Sequence, residues 1–385
     1  MLDVLIAGAG PAGAIAARQL ALSGARVLMV DRETFPRDKL CGDTLNPGAI
    51  ALLDAIGLRG GALDGAQTLS GMRVTGPGAS VVARYPEGRT GVSITRRALD
   101  LWLLEQAVVA GARFESGMTV QGALTFEDGG ETSVRGLVLR NAAGVTIRMP
   151  ASVTIGADGR RSATARSVGL GSHPAKPRRW AYGAYFAGGR PWTSGPGRPG
   201  EIFGEMHVRP GWYCGVAPMA DGLMNVCVVT DRREGADDPL GLIRAHLGRH
   251  AELRDRFAAS ECVTPVSVLG PLAVDVASAG VPGLMLVGDA AGFVDPITGD
   301  GLNLAMQGAV LAVAEATRVL ETGNWDGAIE RLNEKRRTVL GTKLAFNRAL
   351  RHLTSSSVAL RMAGVGAMLA PGLLRRIILR AGDAA

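Results

Sequence analysis

The chain has 385 residues, of which 47% are hydrophobic and 20% are charged, and this composition excludes an intrinsically disordered protein. Its length exceeds one ordinary hydrophobic core and predicts two lobes. The four cysteines have no C-x-x-C spacing, which argues against a zinc site or a disulfide scaffold and indicates a reducing, cytoplasmic compartment. No metal-ligand spacing and no Ser-His-Asp pattern is present. The first strand begins within three residues of Met1, so we expect no signal peptide, and no apolar run reaches the ~18 residues of a membrane span.

The net charge of +7 is concentrated near the C-terminal end of the sequence. From Arg331 to Ala385 there are eleven Lys and Arg residues and only two acids, so the rest of the chain is about neutral. These cations alternate with aliphatic rather than aromatic residues, which argues against nucleic acid as a partner. Two interpretations stay open. Either C-terminal helices pack on the body with a solvated basic face, or an amphipathic surface contacts anionic lipid or a lipid-like substrate and makes the protein membrane-associated.

The first 32 residues predict a strand, a glycine-rich turn, a helix and a second strand. An apolar run over residues 2–7 leads into the turn at residues 8–13, and the second strand ends at Asp31. In such a unit the glycines allow a tight turn, approach of a pyrophosphate and close helix packing, while the acid accepts hydrogen bonds from a ribose. The helix N-terminus adds free N–H groups and a positive dipole end. The pattern predicts a dinucleotide site made by Gly8, Gly10, Pro11, Ala12, Gly13, Asp31 and Arg32.

The next elements follow in chain order. Residues 32–45 predict a long loop, in which residues 36–43 are dense in reactive side chains. Hydrophobic periodicity predicts helices at 46–57 and 95–110, a hairpin at 72–85, and short strands at 113–115, 136–140 and 145–149. Proline- and glycine-rich sequence over 174–199 marks a boundary into a lobe with strands at 181–186, 201–208, 212–216 and 223–230 and a helix at 238–257. A long Ala-rich helix is predicted at 302–320.

Two further apolar strands end in glycine-bearing turns. Residues 153–157 run into Asp158-Gly159, and residues 284–287 run into Gly288-Asp289. Because the carboxyl ends of parallel strands open at one edge of a sheet, we expect these turns to converge with the first turn on one elongated ligand.

The three turns resemble the FAD fingerprints of the para-hydroxybenzoate hydroxylase-like flavoproteins, which include aromatic hydroxylases, flavin-dependent halogenases and the geranylgeranyl reductase family. The resemblance is carried by Gly8-x-Gly10-x-x-Gly13, Asp158-Gly159 with Ser162 and Arg166, and Gly288-Asp289-Ala290-Ala291 followed by Pro296 and residues 299–303. It implies FAD as the cofactor, with Asp31 at the adenosine ribose and Asp289 at the ribityl chain or pyrophosphate. It also implies Arg97 near the phosphates. Gly299, Gly301, Leu302 and Asn303 would lie against the isoalloxazine, where helix N–H groups stabilise a reduced flavin.

The resemblance leaves the reaction open. The Lys39-x-Cys41-Gly42-Asp43 loop resembles the reductase branch, as does the segment 288–293, which has Gly where many hydroxylases have His. Residues 301–307 look more like the hydroxylases. The segment 211–218 has Gly215 and Ala217 where the reductases' substrate motif has Trp and Phe, and it does not match the halogenases' paired-tryptophan motif.

The sequence therefore predicts an NAD(P)H-using monooxygenase that hydroxylates a bulky hydrophobic or aromatic substrate. A geranylgeranyl reductase-like double-bond reductase is the alternative, and a flavin-binding redox carrier without turnover is the alternative from another class. One other GxGxxG match, residues 195–200, lies in proline-rich sequence and not between a strand and a helix, so no second dinucleotide-binding unit is predicted. This is compatible with NAD(P)H and equally with an external electron donor. Cys41 and Tyr213 are the catalytic candidates, and Cys41 and Gly42 are also expected to contact the cofactor. For Cys41 an inert buried thiol is the competing interpretation.

The predicted fold is α/β, with a glutathione-reductase-type, Rossmann-like FAD-binding lobe, an antiparallel β-sheet substrate domain and C-terminal helices. The FAD lobe is discontinuous and comprises residues 1–70, 91–175 and 269–340. The sheet domain comprises residues 71–90 and 176–268, and residues 341–385 form a helical segment that closes the cavity.

Overall fold

The structure is a computed structural model that describes residues 2–58, 60–128, 130–174, 178–193, 200–235 and 237–383. The predicted boundary at 174–199 lies partly outside these residues. In chain order the strands are β1 (Leu2–Ala7), β2 (Val27–Val30), β3 (Thr44–Leu45), β4 (Gln67–Leu69), β5 (Gly71–Gly76), β6 (Ala79–Arg84), β7 (Gly91–Ser93), β8 (Arg113–Glu115), β9 (Thr119–Asp128), β10 (Glu131–Arg140), β11 (Thr146–Gly156), β12 (Gly171–Ser172), β13 (Trp180–Ala187), β14 (Phe203–Arg209), β15 (Trp212–Pro218), β16 (Met224–Thr230), β17 (Glu261–Cys262), β18 (Ser267–Leu269), β19 (Asp275–Val276), β20 (Gly280–Val281) and β21 (Leu284–Leu286).

The helices are α1 (Pro11–Leu22), α2 (Pro47–Ala55), α3 (Arg96–Val109), α4 (Ala163–Ser167), α5 (Pro239–Gly248), α6 (Ala251–Phe257), α7 (Gly301–Thr322), α8 (Ala328–Ser355), α9 (Ser357–Leu369) and α10 (Pro371–Ala381). Three short 3-10 segments span Gly61–Leu63, Gly288–Ala291 and Pro296–Thr298 within the described residues.

The first sheet has the N-terminal strand near its centre. Its strands lie in the order β20-β21-β11-β1-β2-β8, and those from β21 to β8 are parallel. Val4 and Ile6 pack with α1, α3 and α7 in one core cluster, while Leu5 and Ala7 pack on the other face with β10. This burial on both faces explains why β1 is a continuous apolar run rather than an alternating one.

The second sheet is antiparallel except for one parallel pair. Its order is β17-β13-β16-β15-β14-β5-β6, with β18 beside β13, and β14 and β5 are the parallel neighbours. The hairpin β5–β6 comes from residues 71–84 and the other strands come from residues 180–269, so two separate stretches of chain build this sheet. A smaller antiparallel sheet has the order β3-β7-β4, and its strands flank the hairpin β5–β6 in sequence.

Side-chain caps start two of the helices that border the first sheet. The Asn46 side chain accepts from Ala49 N at the start of α2, and the Thr95 hydroxyl accepts from Ala98 N at the start of α3. In contrast, α1 and α7 follow glycine-bearing turns and have no side chain bonded to their first amides. Their N-terminal N–H groups therefore stay free for another acceptor.

Two predicted elements differ from the structure. The helix expected over 238–257 is two helices, α5 and α6, which break at Arg249 and His250. The short strand expected at 145–149 continues through Pro150 into the following strand as β11, because its first half pairs with β10 and its second half with β1 and β21. The proline is tolerated where the strand changes partners.

The C-terminal helices cover the second sheet. Helix α9 packs on β5 and β6, and α10 packs on β6 and α9. Among the described residues no single helix is long and apolar enough to cross a membrane; α9 and α10 pass that test only as a pair, and their axes bend by 109° at the break.

Candidate functional site

The three glycine-bearing turns meet at one cavity. Strands β1, β11 and β21 are adjacent and parallel, so the turns that follow them open at the same edge of the first sheet. A cavity of about 190 Å³ lies there, and its lining includes Gly10, Gly159, Gly288 and Asp289 from the three turns. The second sheet forms the opposite wall through β13 to β16. The predicted convergence of the turns is confirmed.

The first turn requires glycine for two different physical reasons: close packing at Gly8 and Gly13, and open space at Gly10. Gly8 has φ +96°, and a Cβ there would lie 2.5 Å from Ala157 O. A Cβ on Gly13 would lie 1.9 Å from Gly8 O, so this position is closed to any side chain by packing. A Cβ on Gly10 would meet only Arg37 Nη2, at 3.6 Å. Gly10 is therefore the glycine that keeps space open in front of α1, next to Pro11 and Ala12 in the cavity wall.

Asp31 holds the first turn in place. Its Oδ2 accepts from Ala9 N at 2.9 Å and its Oδ1 accepts from Glu33 N at 3.0 Å. The neighbouring Arg32 is exposed and pairs with Glu33. Asp31 lies outside the lining of the cavity, at the end of β2 beside the turn, which is the position expected for a contact to a ribose at the far end of a dinucleotide.

The prediction for Arg97 needs a correction. Its side chain is half exposed and pairs with Asp38 at 3.4 Å. Arg96, one residue earlier, is buried and lines the cavity, where it donates to both oxygens of Asp100 at 2.6 and 2.7 Å. Thr95 caps α3, so successive residues of its first turn point about 100° apart, and only Arg96 faces inward.

A second arginine, Arg37, contacts the same carboxylate as Arg96. Arg37 Nη2 pairs with Asp100 at 3.0 Å, and only 13% of the Arg37 side chain is exposed. Its Nη1 is buried without a hydrogen-bond partner among the described residues. The guanidinium lies beside Gly10, since its Nη2 is 3.6 Å from the place where a Cβ would stand there. With one nitrogen left without an acceptor, it suits an anionic group that is not part of the chain.

The second turn is fastened by its acid. Asp158 accepts from the Ser162 and Thr164 hydroxyls and from the amides of Ala163 and Thr164 at 2.6–3.1 Å. Both carboxylate oxygens are thus used to start α4, while Gly159 and Arg160 form the cavity wall. The structure gives Asp158 the role of positioning this wall.

The third turn leads into α7. Gly288 and Gly299 have φ of +59° and +68°, and Pro296, Gly299, Gly301 and Leu302 line the cavity. Asn303 does not line it; its Nδ2 donates to Asp383 at 2.8 Å, and its Oδ1 accepts from Gln307 at 3.0 Å. The buried Asp300 that precedes α7 is paired with Lys343 at 3.1 Å. Because the side chains of Asp300 and Asn303 are bonded within the chain, the groups at the start of α7 that can contact a ligand are its free backbone amides.

These features fit FAD. Gly10, the amides of α1 and the unpartnered nitrogen of Arg37 suit a pyrophosphate, and Asp31 suits a ribose. The amides at the start of α7 suit the electron-rich edge of a flavin ring. Bound there, FAD would supply two-electron redox chemistry, and the chain would supply orientation and exclusion of water.

The loop that contains Cys41 places an acid at the cavity wall. Asp43 is fully buried, and its Oδ2 accepts from the Tyr185 hydroxyl and from Asn225 Nδ2, the latter at 2.6 Å. Its Oδ1 has no partner among the described residues. Burial raises the pKa of Asp43 to about 6, against the hydrogen bonds that lower it. Cys41 and Gly42 also line the cavity. Burial raises the pKa of the Cys41 thiol, so the thiol stays protonated.

Tyr213 contributes its ring to the wall and its hydroxyl to a buried ion pair. The hydroxyl donates to Asp295 Oδ1 at 2.6 Å, and Asp295 Oδ2 pairs with Arg179 at 2.9 Å. Burial raises the pKa of Tyr213 well above its ordinary value. With this partner the phenol stays neutral and fixed, which suits shaping the cavity better than exchanging protons.

A second cavity of about 200 Å³ adjoins the first. The two share Thr44, Met72, Met206 and Gly299 in their linings. The far wall of the second cavity is formed by the inner faces of α8, α9 and α10, with Phe346, Leu350, Leu353, Leu360, Ala363, Ala367, Leu374, Ile377, Ile378 and Ala381. Both cavities are lined mainly by apolar side chains and by glycine.

Sequence reasoning missed Arg37, Asp43, Arg96, Asp100, Tyr185 and Asn225. Arg96 and Asp100 carried a usable signal, because an Arg and an Asp four residues apart after a threonine cap lie on one face of a helix. Asp43 stood within the loop that was singled out as reactive. Tyr185 and Asn225 lie on separate strands of the second sheet, and only the fold brings them to Asp43.

Known sequences resemble this chain over most of its length. A family profile described as an FAD binding domain matches residues 1–344. A menaquinone reductase of Mycolicibacterium smegmatis is 31% identical over 320 residues, which cover 80% of this chain and 75% of the relative. A digeranylgeranylglycerophospholipid reductase of Methanosarcina acetivorans is 29% identical over 337 residues, which cover 86% of this chain and 78% of the relative.

Solved structures have the same fold at lower identity. The flavin-dependent brominase Bmp2 superposes with a TM-score of 0.84 at 20% identity, over 99% of this chain and 93% of the brominase. A geranylgeranyl bacteriochlorophyll reductase-like protein of Thermoplasma acidophilum superposes with a TM-score of 0.75 at 21% identity, over 100% and 99% of the two chains. The predicted fold class is confirmed, and the chain belongs to the FAD-binding-domain family, within the superfamily of FAD-dependent monooxygenases and reductases that its three motifs resemble.

Proposed function

We propose that this protein is an FAD-dependent reductase that saturates carbon–carbon double bonds in the isoprenoid chain of a lipid. The observation that carries the proposal is the apolar second cavity that adjoins the first. A flexible apolar chain can extend from the residues predicted to hold the flavin into the space beneath α8, α9 and α10. The compact ring of an aromatic substrate needs only the first cavity.

The relatives support this substrate class. The menaquinone reductase and the digeranylgeranylglycerophospholipid reductase are named for substrates that carry long isoprenoid chains. The loop with Cys41 also resembles the reductase branch of the superfamily. The monooxygenase predicted from residues 301–307 remains the second candidate, because that segment resembles the hydroxylases.

The chain's own residues meet two requirements of the proposed reaction. Saturating one double bond adds two electrons and two protons, of which bound FAD, once reduced by NAD(P)H or another donor, would supply the equivalent of a hydride. The second carbon then needs a proton from a nearby acid in a dry site. Asp43 is such a group, since burial raises its pKa to about 6 and its Oδ1 is free of partners among the described residues.

The test compares products with and without oxygen. The FAD-loaded protein is reduced with dithionite under nitrogen and given a menaquinone with a short isoprenoid chain in detergent. After the quinol formed by dithionite has been reoxidised in air, the expected product is two hydrogen atoms heavier per saturated bond by mass spectrometry. A parallel reaction with NADPH in air reports oxygen uptake and any product that gains an oxygen atom.

Oxygen insertion in air, without anaerobic hydrogenation, would overturn the proposal in favour of the monooxygenase. Tight FAD binding without either product would favour the redox carrier. A compact aromatic phenol serves as the control substrate, because the reductase is expected to leave it unchanged.

A further inference from the structure

Helices α9 and α10 present apolar residues on two sides. Their inner faces line the second cavity, for example through Leu360 and Leu374. Their outer face, defined here as Val358, Met362, Val365, Leu369 and Leu373, is 51–82% exposed. Residues 358, 362, 365 and 369 are spaced by three or four, so they form one stripe along α9. A contiguous exposed apolar face on a folded chain indicates a contact with something other than water.

The charges that α9 and α10 carry have one sign. Neither α9 nor α10 contains an acidic residue, whereas they contain Arg361, Arg375, Arg376 and Arg380. The three arginines of α10 are exposed and form no ion pair within the part of the chain that the structure describes. A cationic rim around an apolar face is complementary to anionic headgroups above acyl chains.

We propose that the outer face of α9 and α10 docks on a membrane surface that contains anionic phospholipid, and that lipid substrate enters the second cavity between these helices. The entry step rests on the proposed function, whereas the docking does not. The helices are about 20 Å and about 17 Å long at ~1.5 Å per residue, too short to span a ~30 Å hydrocarbon layer, so they lie in the interface.

A second copy of the chain fits this face less well. A two-fold contact would bring Arg375, Arg376 and Arg380 of both copies into one interface, with no acid on either helix to offset them. Inner-face contacts fix the pair on the body: a Cβ on Gly364 would lie 2.3 Å from Pro77 O, so α9 packs directly on the β5–β6 turn. The outer face is thus held in place while it stays uncovered.

Vesicle flotation tests the docking. The FAD-loaded protein is mixed with vesicles of phosphatidylcholine alone or with phosphatidylglycerol added, and the bound fraction is measured. We expect binding to the anionic vesicles that falls with added salt. The pair R375E/R376E should weaken binding at least about tenfold, since each basic residue near an anionic surface adds attraction. M362E/L369E should also abolish binding.

Matched controls separate docking from folding. Val108 and Val109 are 48% and 82% exposed on α3, so V108E/V109E introduces the same two charges as M362E/L369E elsewhere and should leave vesicle binding unchanged. Flavin absorbance and melting temperature confirm that each variant is folded. Unchanged binding by both α9–α10 variants would overturn the proposal, as would equal binding to neutral vesicles. A stable dimer in solution that M362E/L369E converts to monomer, with no vesicle binding, would identify a second copy as the occupant.

Activity in two media separates entry from the reaction. The variant M362E/L369E should reduce detergent-dispersed substrate at the wild-type rate and lose most activity on the same substrate in anionic vesicles. Equal loss in both media would overturn the entry route. Failure of the wild-type protein to reduce substrate in either medium would contradict the proposed function, and the flotation result would still decide the docking.

Discussion

The phenol of Tyr185 donates a hydrogen bond to the buried carboxylate of Asp43 at the wall of the first cavity. Asn225 donates to the same oxygen, Oδ2, at 2.6 Å. Both donors occupy one side of the carboxylate, so a proton on Asp43 is directed to Oδ1, which has no partner among the described residues. This arrangement suits an acid that gives its proton to a substrate.

Removing this acid should slow the proposed reduction while the cofactor still binds. We expect Asp43→Asn to lower the rate of double-bond reduction by roughly 10²- to 10⁴-fold, the usual contribution of a general acid. Reduction of the bound flavin by dithionite should be unchanged. Single-turnover product formation, measured beside flavin absorbance, checks both. Full activity in this variant would contradict the role of Asp43.

The pH dependence of the same step has a defined direction. The active form of Asp43 is protonated, and burial raises its pKa to about 6, so the wild-type rate should fall as pH rises through about 6. The hydrogen bond from Tyr185 lowers the pKa of Asp43, so Tyr185→Phe should move this fall to higher pH. A profile that does not move in this variant would show that another group titrates.

The pH dependence of folding stability should reveal the raised pKa of Asp43 independently of any activity. The folded pKa of about 6 is above the ordinary value of 3.8, so the folded state binds more protons between these values and stability falls as pH rises through that window. The difference corresponds to about 3 kcal/mol at most, at ~1.4 kcal/mol per unit. Urea denaturation of the wild type should show this loss, and Asp43→Asn should remove it from the profile.

Arg96 and its neighbour Arg97 allow a comparison between a buried and an exposed arginine of the same helix. Arg96→Ala removes a buried guanidinium and leaves Arg37 as the remaining partner of the Asp100 carboxylate, which is 0% exposed. We therefore expect the unfolding free energy to fall by about 3 kcal/mol or more and FAD to bind more weakly. Arg97→Ala should change stability by less than about 0.5 kcal/mol, because its pair with Asp38 is exposed. Denaturation and FAD titration compare the two. Equal effects would show that the inward orientation of Arg96 is unimportant.

The N-terminal unit was predictable because its function and its local structure use the same residues. The glycines of the turn, the run of β1 and Asp31 lie within one short stretch, so their spacing alone predicts the site. The arginine of α3 was misplaced by one position because Arg96 and Arg97 are adjacent and chemically identical. Only the orientation set by the Thr95 cap separates them.

The chemistry of the cavity was less predictable because it depends on contacts between distant segments. Asp43 meets Asn225 across 182 residues and Tyr185 across 142 residues. Residues 341–385 were expected to close the cavity as helices, but no local pattern specifies that α9 and α10 pack on β5 and β6 and line a second cavity. Tyr213 was singled out for its motif, but its partner Asp295 belongs to another part of the chain.

Two glycines of the first turn should respond differently to alanine. At Gly10 a Cβ meets only the end of a flexible arginine, so Gly10→Ala should leave the unfolding free energy of the cofactor-free protein within about 0.5 kcal/mol and weaken FAD binding at least about tenfold. At Gly13 a Cβ would lie 1.9 Å from Gly8 O, so Gly13→Ala should destabilise the fold itself. Denaturation without FAD, followed by FAD titration, separates the effects. Wild-type FAD affinity in Gly10→Ala would place the pyrophosphate elsewhere.

Filling the second cavity should shorten the substrate that the protein accepts. Ala367 lines this cavity from α9, so Ala367→Trp places a large ring in the space expected to hold the end of the chain. We expect the catalytic efficiency toward a long isoprenoid lipid to fall at least about tenfold while the efficiency toward a short-chain analogue is retained, since only the long chain must displace the ring. Val365→Trp puts the same ring on the exposed outer face of the same helix and should leave this ratio unchanged. If both variants lowered the two efficiencies equally, the loss would come from the helix and not from the cavity, and the chain would have to lie elsewhere.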